Sequence, residues 1–198
     1  MLINETKKYI IFHVPKNGGT SIKNAHVNSN NDVVKKYWKL PTKTTPDLGH
    51  LNLYNFKDHV EPMYPLISYK IYVVVRNPVE RFISGWNELK RHEISRKYLR
   101  TLNIVTMEDL VDAIFQDRSI ILKNELVWVC PQHLYCKHTD YQNIHIIPFK
   151  RLVSEFKSIL DLEIPHNNKS TKFKISNEYV EKIRIVYNDD YDLLHSFF

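Results

Sequence analysis

The chain's apolar residues fall into short unbroken runs, each followed by a stretch with a three-to-four-residue beat. "YIIFHV" (9–14), "KIYVVV" (70–75, closed by Arg-Asn-Pro) and "NIHIIPF" (143–149) are the runs. Short β-branched stretches bounded by turn residues predict buried strands. After the first run, residues 19–27 predict a helix. After the second, Val79, Phe82, Ile83, Trp86 and Leu89 share one helical face, and Pro78 suits a first helical turn. That periodicity predicts a helix from Pro78 to about Leu99. A further helix is expected to start near "TMED" (106–109), where Thr106 and Asp109 can cap each other. "KRLVSEFKSILDL" follows the third run as an amphipathic helix. "SNEYVEKIRIVYNDDYDLLHSFF" supplies one or two closing helices, with Ser176 as a cap. Residues 28–47 are polar and irregular and read as a surface excursion. Residues 48–60 read as a loop leading to a short helix, and "PHNNKSTK" (165–172) as a polar loop. Strands alternating with helices imply parallel pairing and an α/β fold.

Composition narrows the picture slightly. With 198 residues, 43% hydrophobic, the chain is long enough for one domain over 1–198 with a real core. Lys and Arg number 28 against 22 Asp and Glu, a formal charge of +6, which mildly favours an anionic partner. The basic residues are spread along the chain rather than clustered as in a nucleic-acid binder, so no nucleic-acid partner is expected. Two cysteines, Cys130 and Cys136, are too few for a disulfide scaffold and read as reduced thiols. No apolar run reaches the length of a membrane span, and "YIIFHV" is too short for a signal-peptide core. A cytoplasmic setting, microbial or viral, is the simplest inference.

Chemistry concentrates where the first two strands end. "VPKNGGTS" (14–21) places a lysine, two of the chain's four glycines and two hydroxyls between a strand and a helix. Such a junction offers free backbone N–H groups and the positive end of a helix dipole to an anion. Lys16 adds a full charge. Gly18 and Gly19 let an anion approach the backbone, and Thr20 and Ser21 add donors. The order differs from the P-loop motif, whose lysine follows its glycines. No strand-terminal aspartate provides for magnesium. In "VVVRNPVERFISGW" (73–86), Arg76 at a strand end offers a planar fork for a second phosphate, and Ser84 lies on the helix that follows. "CPQHLYCKH" (130–138) crowds two Cys and two His into nine residues, too close to form a tetrahedral zinc site, so no metal is expected.

As a pair, "FHVPKNGGTSI" and "VVVRNPVERFISGW" resemble the 5′-phosphosulfate loop and 3′-phosphate motif of the sulfotransferases that use 3′-phosphoadenosine 5′-phosphosulfate (PAPS). The match is nearest to the carbohydrate branch with its heparan 2-O- and chondroitin 4-O-type enzymes. "LGHLNLYNF", "PQHLY" and "IIPFKRLVSEF" match more loosely. The resemblance implies a P-loop-like three-layer fold, with a central parallel sheet flanked by helices. It implies that Lys16, Asn17, Gly18, Gly19, Thr20 and Ser21 hold the 5′-phosphate, with Lys16 also at the bridging oxygen, and that Arg76 and Ser84 hold the 3′-phosphate. Lys169 and Ser170 of the polar loop are expected near phosphate. PAPS would be the donor and PAP the product, with no metal.

Transfer to a hydroxyl needs a base, and a positioned histidine serves. His50 aligns with the base of the 2-O branch, which has a second histidine where this chain has Leu48; His59, His133 and a nearby carboxylate are the reserves. The expected function is sulfuryl transfer to a hydroxyl acceptor, a glycan or a small molecule. The contrasting expectations are a non-catalytic module holding a nucleotide or acidic glycan, and a divergent P-loop kinase.

Overall fold

A computed structural model describes residues 1–28, 34–36, 49–59, 66–137, 143–165 and 175–197. In chain order, β1 (Leu2–Asn4) and β2 (Tyr9–Phe12) are followed by α1 (Gly19–Asn28), β3 (Val34–Lys36) and α2 (Leu53–His59). Then come β4 (Lys70–Val75), α3 (Pro78–Leu89), α4 (Glu93–Thr101), α5 (Met107–Gln116) and α6 (His133–Cys136). β5 (Ile144–Pro148), α7 (Leu152–Leu160), α8 (Asn177–Val186) and α9 (Asn188–Leu194) close the chain. These elements group into two compact units. One is built from Met1–Arg76 and His133–Lys169, the other from Asn77–Gln132 and Ser170–Ser196.

The first unit holds a mixed five-stranded sheet in the order β3–β1–β2–β4–β5. Its centre is parallel, as expected: Ile10 pairs with Ile71, and Val73 with Ile146. Its edge is not. β1 runs antiparallel to both β2 and β3. The charged segment after β1 is a tight turn, where the Asn4 side chain accepts from Lys7 N at 2.8 Å and Lys8 takes a φ of 53°. β3 lies inside the stretch expected to be irregular. Side-chain alternation splits the sheet's residues between its two faces. Tyr9, Ile11, Tyr72, Val74 and Ile147 share a core with Ile22 and Ala25 of α1 and with Leu152 and Phe156 of α7. On the opposite face Phe12 meets Phe56 of α2 edge-on at 5.2 Å.

The second unit is helical around Phe82, Trp86, Leu89, Leu110, Ile114, Leu126 and Ile183. Asn77 caps α3, its side chain accepting from Val79 N and Glu80 N, with Pro78 in the first turn. α3 stops at Leu89 instead of running to Leu99. His92 is extended and becomes the residue before α4. Leu99 sits ten residues beyond Leu89, so one straight helix at 3.6 residues per turn would carry it about 80° round from that side. The break lets both reach the core, where Leu89 and Leu99 are buried. α5 opens with the reciprocal Thr106–Asp109 box. Ser176 takes the capping position of α8, but its hydroxyl makes no capping bond. Arg81 is fully buried. Its guanidinium donates to the carbonyls of Val129 (3.2 Å) and Cys130 (2.5 Å), satisfying a 3₁₀ segment that also accepts from Tyr187.

Candidate active site

β2 and β4 are parallel neighbours, so the loops that follow them leave the sheet at the same edge, where α/β proteins bind ligands. After Phe12 the chain passes through His13, Val14 and Pro15 and turns sharply at Lys16 (φ 68°) and Gly18 (φ 84°). A left-handed lysine is uncommon, and such backbone gathers at functional sites. Between them, Asn17 is buried. Its side-chain amide donates to Val74 C=O at 2.7 Å and braces the loop against β4. The first bond of α1 runs from Ile22 N to Gly18 C=O at 3.0 Å. The N–H groups of Gly19, Thr20 and Ser21 therefore lie ahead of the helical ladder, where an anion can take them. Thr20 is exposed and Ser21 buried. With Lys16 beside them, these donors fit a phosphate.

The glycines have a second reason, beyond anion approach. A Cβ on Gly18 would stand 2.9 Å from Leu152 Cδ2 and 3.2 Å from Phe149 Cε2. A Cβ on Gly19 would fall 1.7 Å from His13 Nε2. The protein's own side chains fill both places, so the turn is clamped between α7 and the ring of His13.

Phe149, just past β5, also carries Arg76. The guanidinium lies 4.9 Å from the Phe149 ring centroid, a cation–π contact at the end of β4. One aromatic ring thus touches both the glycine turn and the strand-terminal arginine.

His50 is buried at the start of the segment leading to α2. Its carbonyl accepts from Tyr135 Oη of α6 at 2.8 Å, and the preceding Gly49 carbonyl accepts from Met1 N at 2.7 Å. Its ring lies against the His13 ring, centroids 4.5 Å apart and planes 38° from parallel. Burial first, then the positive environment of His50, the Met1 amino group, Lys16 and Lys23, holds the His13 imidazole well below the ordinary histidine range.

Lys16, Asn17, Gly18, Gly19, Thr20, Ser21, His50 and Arg76 therefore all belong to the first unit. Ser84 is buried on α3 in the second. His59 ends α2 and His133 opens α6. Leu48, Lys169 and Ser170 lie outside the described residues. Cys130 and Cys136 are buried and not joined in a disulfide. Among the described residues no group of three or more His, Cys, Asp or Glu is placed to hold a metal ion. Sequence reasoning missed His13, Tyr135 and Phe149. His13 had a visible signal, a polar residue ending an apolar strand three positions before the loop lysine.

The turn lies at the end of β2 in a mixed sheet flanked by helices, the α/β architecture. A sequence model described as the sulfotransferase family matches residues 1–147, which include the turn, His50, Arg76 and Ser84. The chain belongs to that family, and it is an enzyme of PAPS-dependent sulfuryl transfer. No curated protein and no solved structure matches it. Among the described residues, no helix is long and apolar enough to cross a membrane.

Proposed function

We propose that the enzyme sulfates a carbohydrate hydroxyl, with His50 as general base and the Lys16–Ser21 turn as the 5′-phosphate site. The observation that carries this reading is the chain of contacts from Gly19 to His13 to His50, which brings the buried base to within one ring of the turn. PAPS supplies the activated sulfuryl group and departs as PAP. Backbone donors of Gly19, Thr20 and Ser21 hold the 5′-phosphate, and Lys16 neutralises charge as it develops on the bridging oxygen. Arg76, kept in place by Phe149, takes the 3′-phosphate. The motif resemblance alone assigns Ser84 to the 3′-phosphate, and Lys169 and Ser170 are expected near phosphate. Asn17 acts as a brace, because its amide is committed to Val74. A ring nitrogen of His50 receives the acceptor's hydroxyl proton. The motif resemblance favours a sugar acceptor, and the formal charge of +6 suits an acidic one.

Two measurements test this. By calorimetry PAP should bind far more tightly than AMP or ATP; equal affinities sink the two-phosphate site. Labelled PAPS incubated with a panel of glycans and small hydroxyl compounds gives a labelled sugar. Label appearing only in non-sugar acceptors removes the carbohydrate reading.

A further inference from the structure

The contact between His13 and His50 has a use of its own. We propose that the two imidazoles work as a one-proton pair, in which His13 is the neutral, positioning member and His50 the member that takes the proton. This rests on the reading of His50 as the base. The geometry carries it. The His50 ring is buried and the His13 ring partly so; they lie 4.5 Å apart and tilted by 38°, so protonating both would set two like charges almost in contact. His13 is boxed in. Its Nε2 lies against Gly19, and its other side faces His50. His50 in turn has its backbone held by Tyr135 and its neighbour Gly49 held by Met1. A wedged ring of this kind limits how His50 can rotate.

The surroundings decide which ring is charged. Among the described residues, the titratable groups acting on His13 are His50, the Met1 amino group, Lys16 of its own loop and Lys23 of α1. All of these are basic. Each disfavours a proton on His13, and burial opposes it further. These groups leave His13 as the member of the pair that stays neutral. A base next to a lysine-bearing anion site needs this arrangement. A charged His13 against the His50 ring would oppose protonation of His50.

The test is a side-chain NMR titration of the full-length protein, followed at the histidine Cε1–Hε1 resonances. Assignment uses the substitutions His13→Gln and His50→Gln. In the wild type His13 should stay neutral through the range near pH 6.5 where an ordinary histidine titrates, and at no pH there should both rings be charged. In His50→Gln the His13 midpoint rises by about half a pH unit or more, because one repelling charge has gone. In His13→Gln the His50 Hε1 resonance moves toward the free-histidine position, since the ring that fixed it is absent. Two rings charging together in the wild type, or a His13 midpoint unmoved in His50→Gln, overturns the pair. Should either variant fail to fold, His13→Asn or His50→Asn assigns the missing resonance and the same two criteria apply. The base reading is tested separately: full sulfuryl-transfer activity in His50→Gln removes the base, and the positioning role with it, whatever the titration gives.

Discussion

His13 stands between the phosphate turn and His50, with its ring 4.5 Å from the His50 ring and its Nε2 where a Gly19 side chain would begin. A strand-terminal residue thereby ties two segments distant in sequence to one another. Changes on one side of the ring are therefore expected to be felt on the other.

Gly19→Ala is the direct probe. The new methyl would overlap the His13 ring, which has the buried His50 ring behind it, so it cannot withdraw cheaply on that side. Overpacking of this kind costs about 1–3 kcal/mol. We expect a lower urea midpoint and weaker PAP binding. His13→Ala should relieve most of the stability loss when combined with it, as contacting sites do in a double-mutant cycle. An additive pair of losses would place the clash elsewhere.

His13 also gives a pH dependence with a definite sign. Its imidazole is held well below the ordinary range in the folded protein, first by burial and then by His50. Unfolded, it titrates near 6.5. Between the folded midpoint and about 6.5 the unfolded chain binds the extra proton, so stability rises with pH across that window. The contribution is complete above about 6.5 and is lost as pH falls below it, at up to about 1.4 kcal/mol per unit. Urea unfolding at pH 7.5, 6.5 and 5.5 should show a steeper acid-side decline in the wild type than in His13→Gln. Parallel declines would mean that His13 charges freely in the folded state.

Much of this was legible in the sequence, for physical reasons. Tyr9–Phe12 and Lys70–Val75 are buried strands announced by apolar runs, whereas Ile144–Pro148 is an edge strand in which only Ile147 and Pro148 are buried. The Thr106–Asp109 box is chemistry between neighbours and could be read directly. β1 and β3 could not. "LIN" and "VKK" are three residues each, too short for any period, and exist because Leu2 finds Ile11 on one side and Lys36 on the other. The turn and Arg76 were visible from glycines and Asn-Pro. Tyr135 and Phe149 were not, because each acts through a contact that only the sheet's assembly creates. The role of the glycines was half legible. A bare backbone was evident from sequence, but the side chains that require it lie elsewhere in the chain.

Arg76 and Phe149 should separate by ligand. If Arg76 holds the 3′-phosphate, Arg76→Ala weakens PAP binding by about 1.5–3 kcal/mol, the range for a hydrogen bond to a charged group. Adenosine 5′-phosphosulfate, which lacks that phosphate, should be nearly unaffected. Phe149→Leu keeps an apolar neighbour for Gly18 but removes the ring under the guanidinium. Its effect on PAP should be smaller, about 0.5–1 kcal/mol, the size of an exposed cation–π contact. Calorimetry with both ligands reads the result; equal losses for the two nucleotides in Arg76→Ala would move the arginine away from the 3′ end.

Lys16 and His50 should differ in kind. Lys16 sits in the turn, in a left-handed conformation that points to a functional constraint, and its proposed partner is the donor's phosphate. Lys16→Ala should weaken PAP binding and lower kcat together, since the charge acts on bound donor and leaving group alike. Lys16→Arg should restore binding better than turnover, because its broad fork does not reproduce a point charge. His50 faces a different task. If it takes the acceptor proton, His50→Ala lowers kcat by roughly 10²–10⁴ and leaves PAP affinity within about twofold. Its acid-side limb in the pH–rate profile should vanish as well, because that limb reports loss of the free base. The profile is the sharper criterion. A fall in rate with the limb intact would make His50 a support for another base, and His133 and His59 would be the next residues to change.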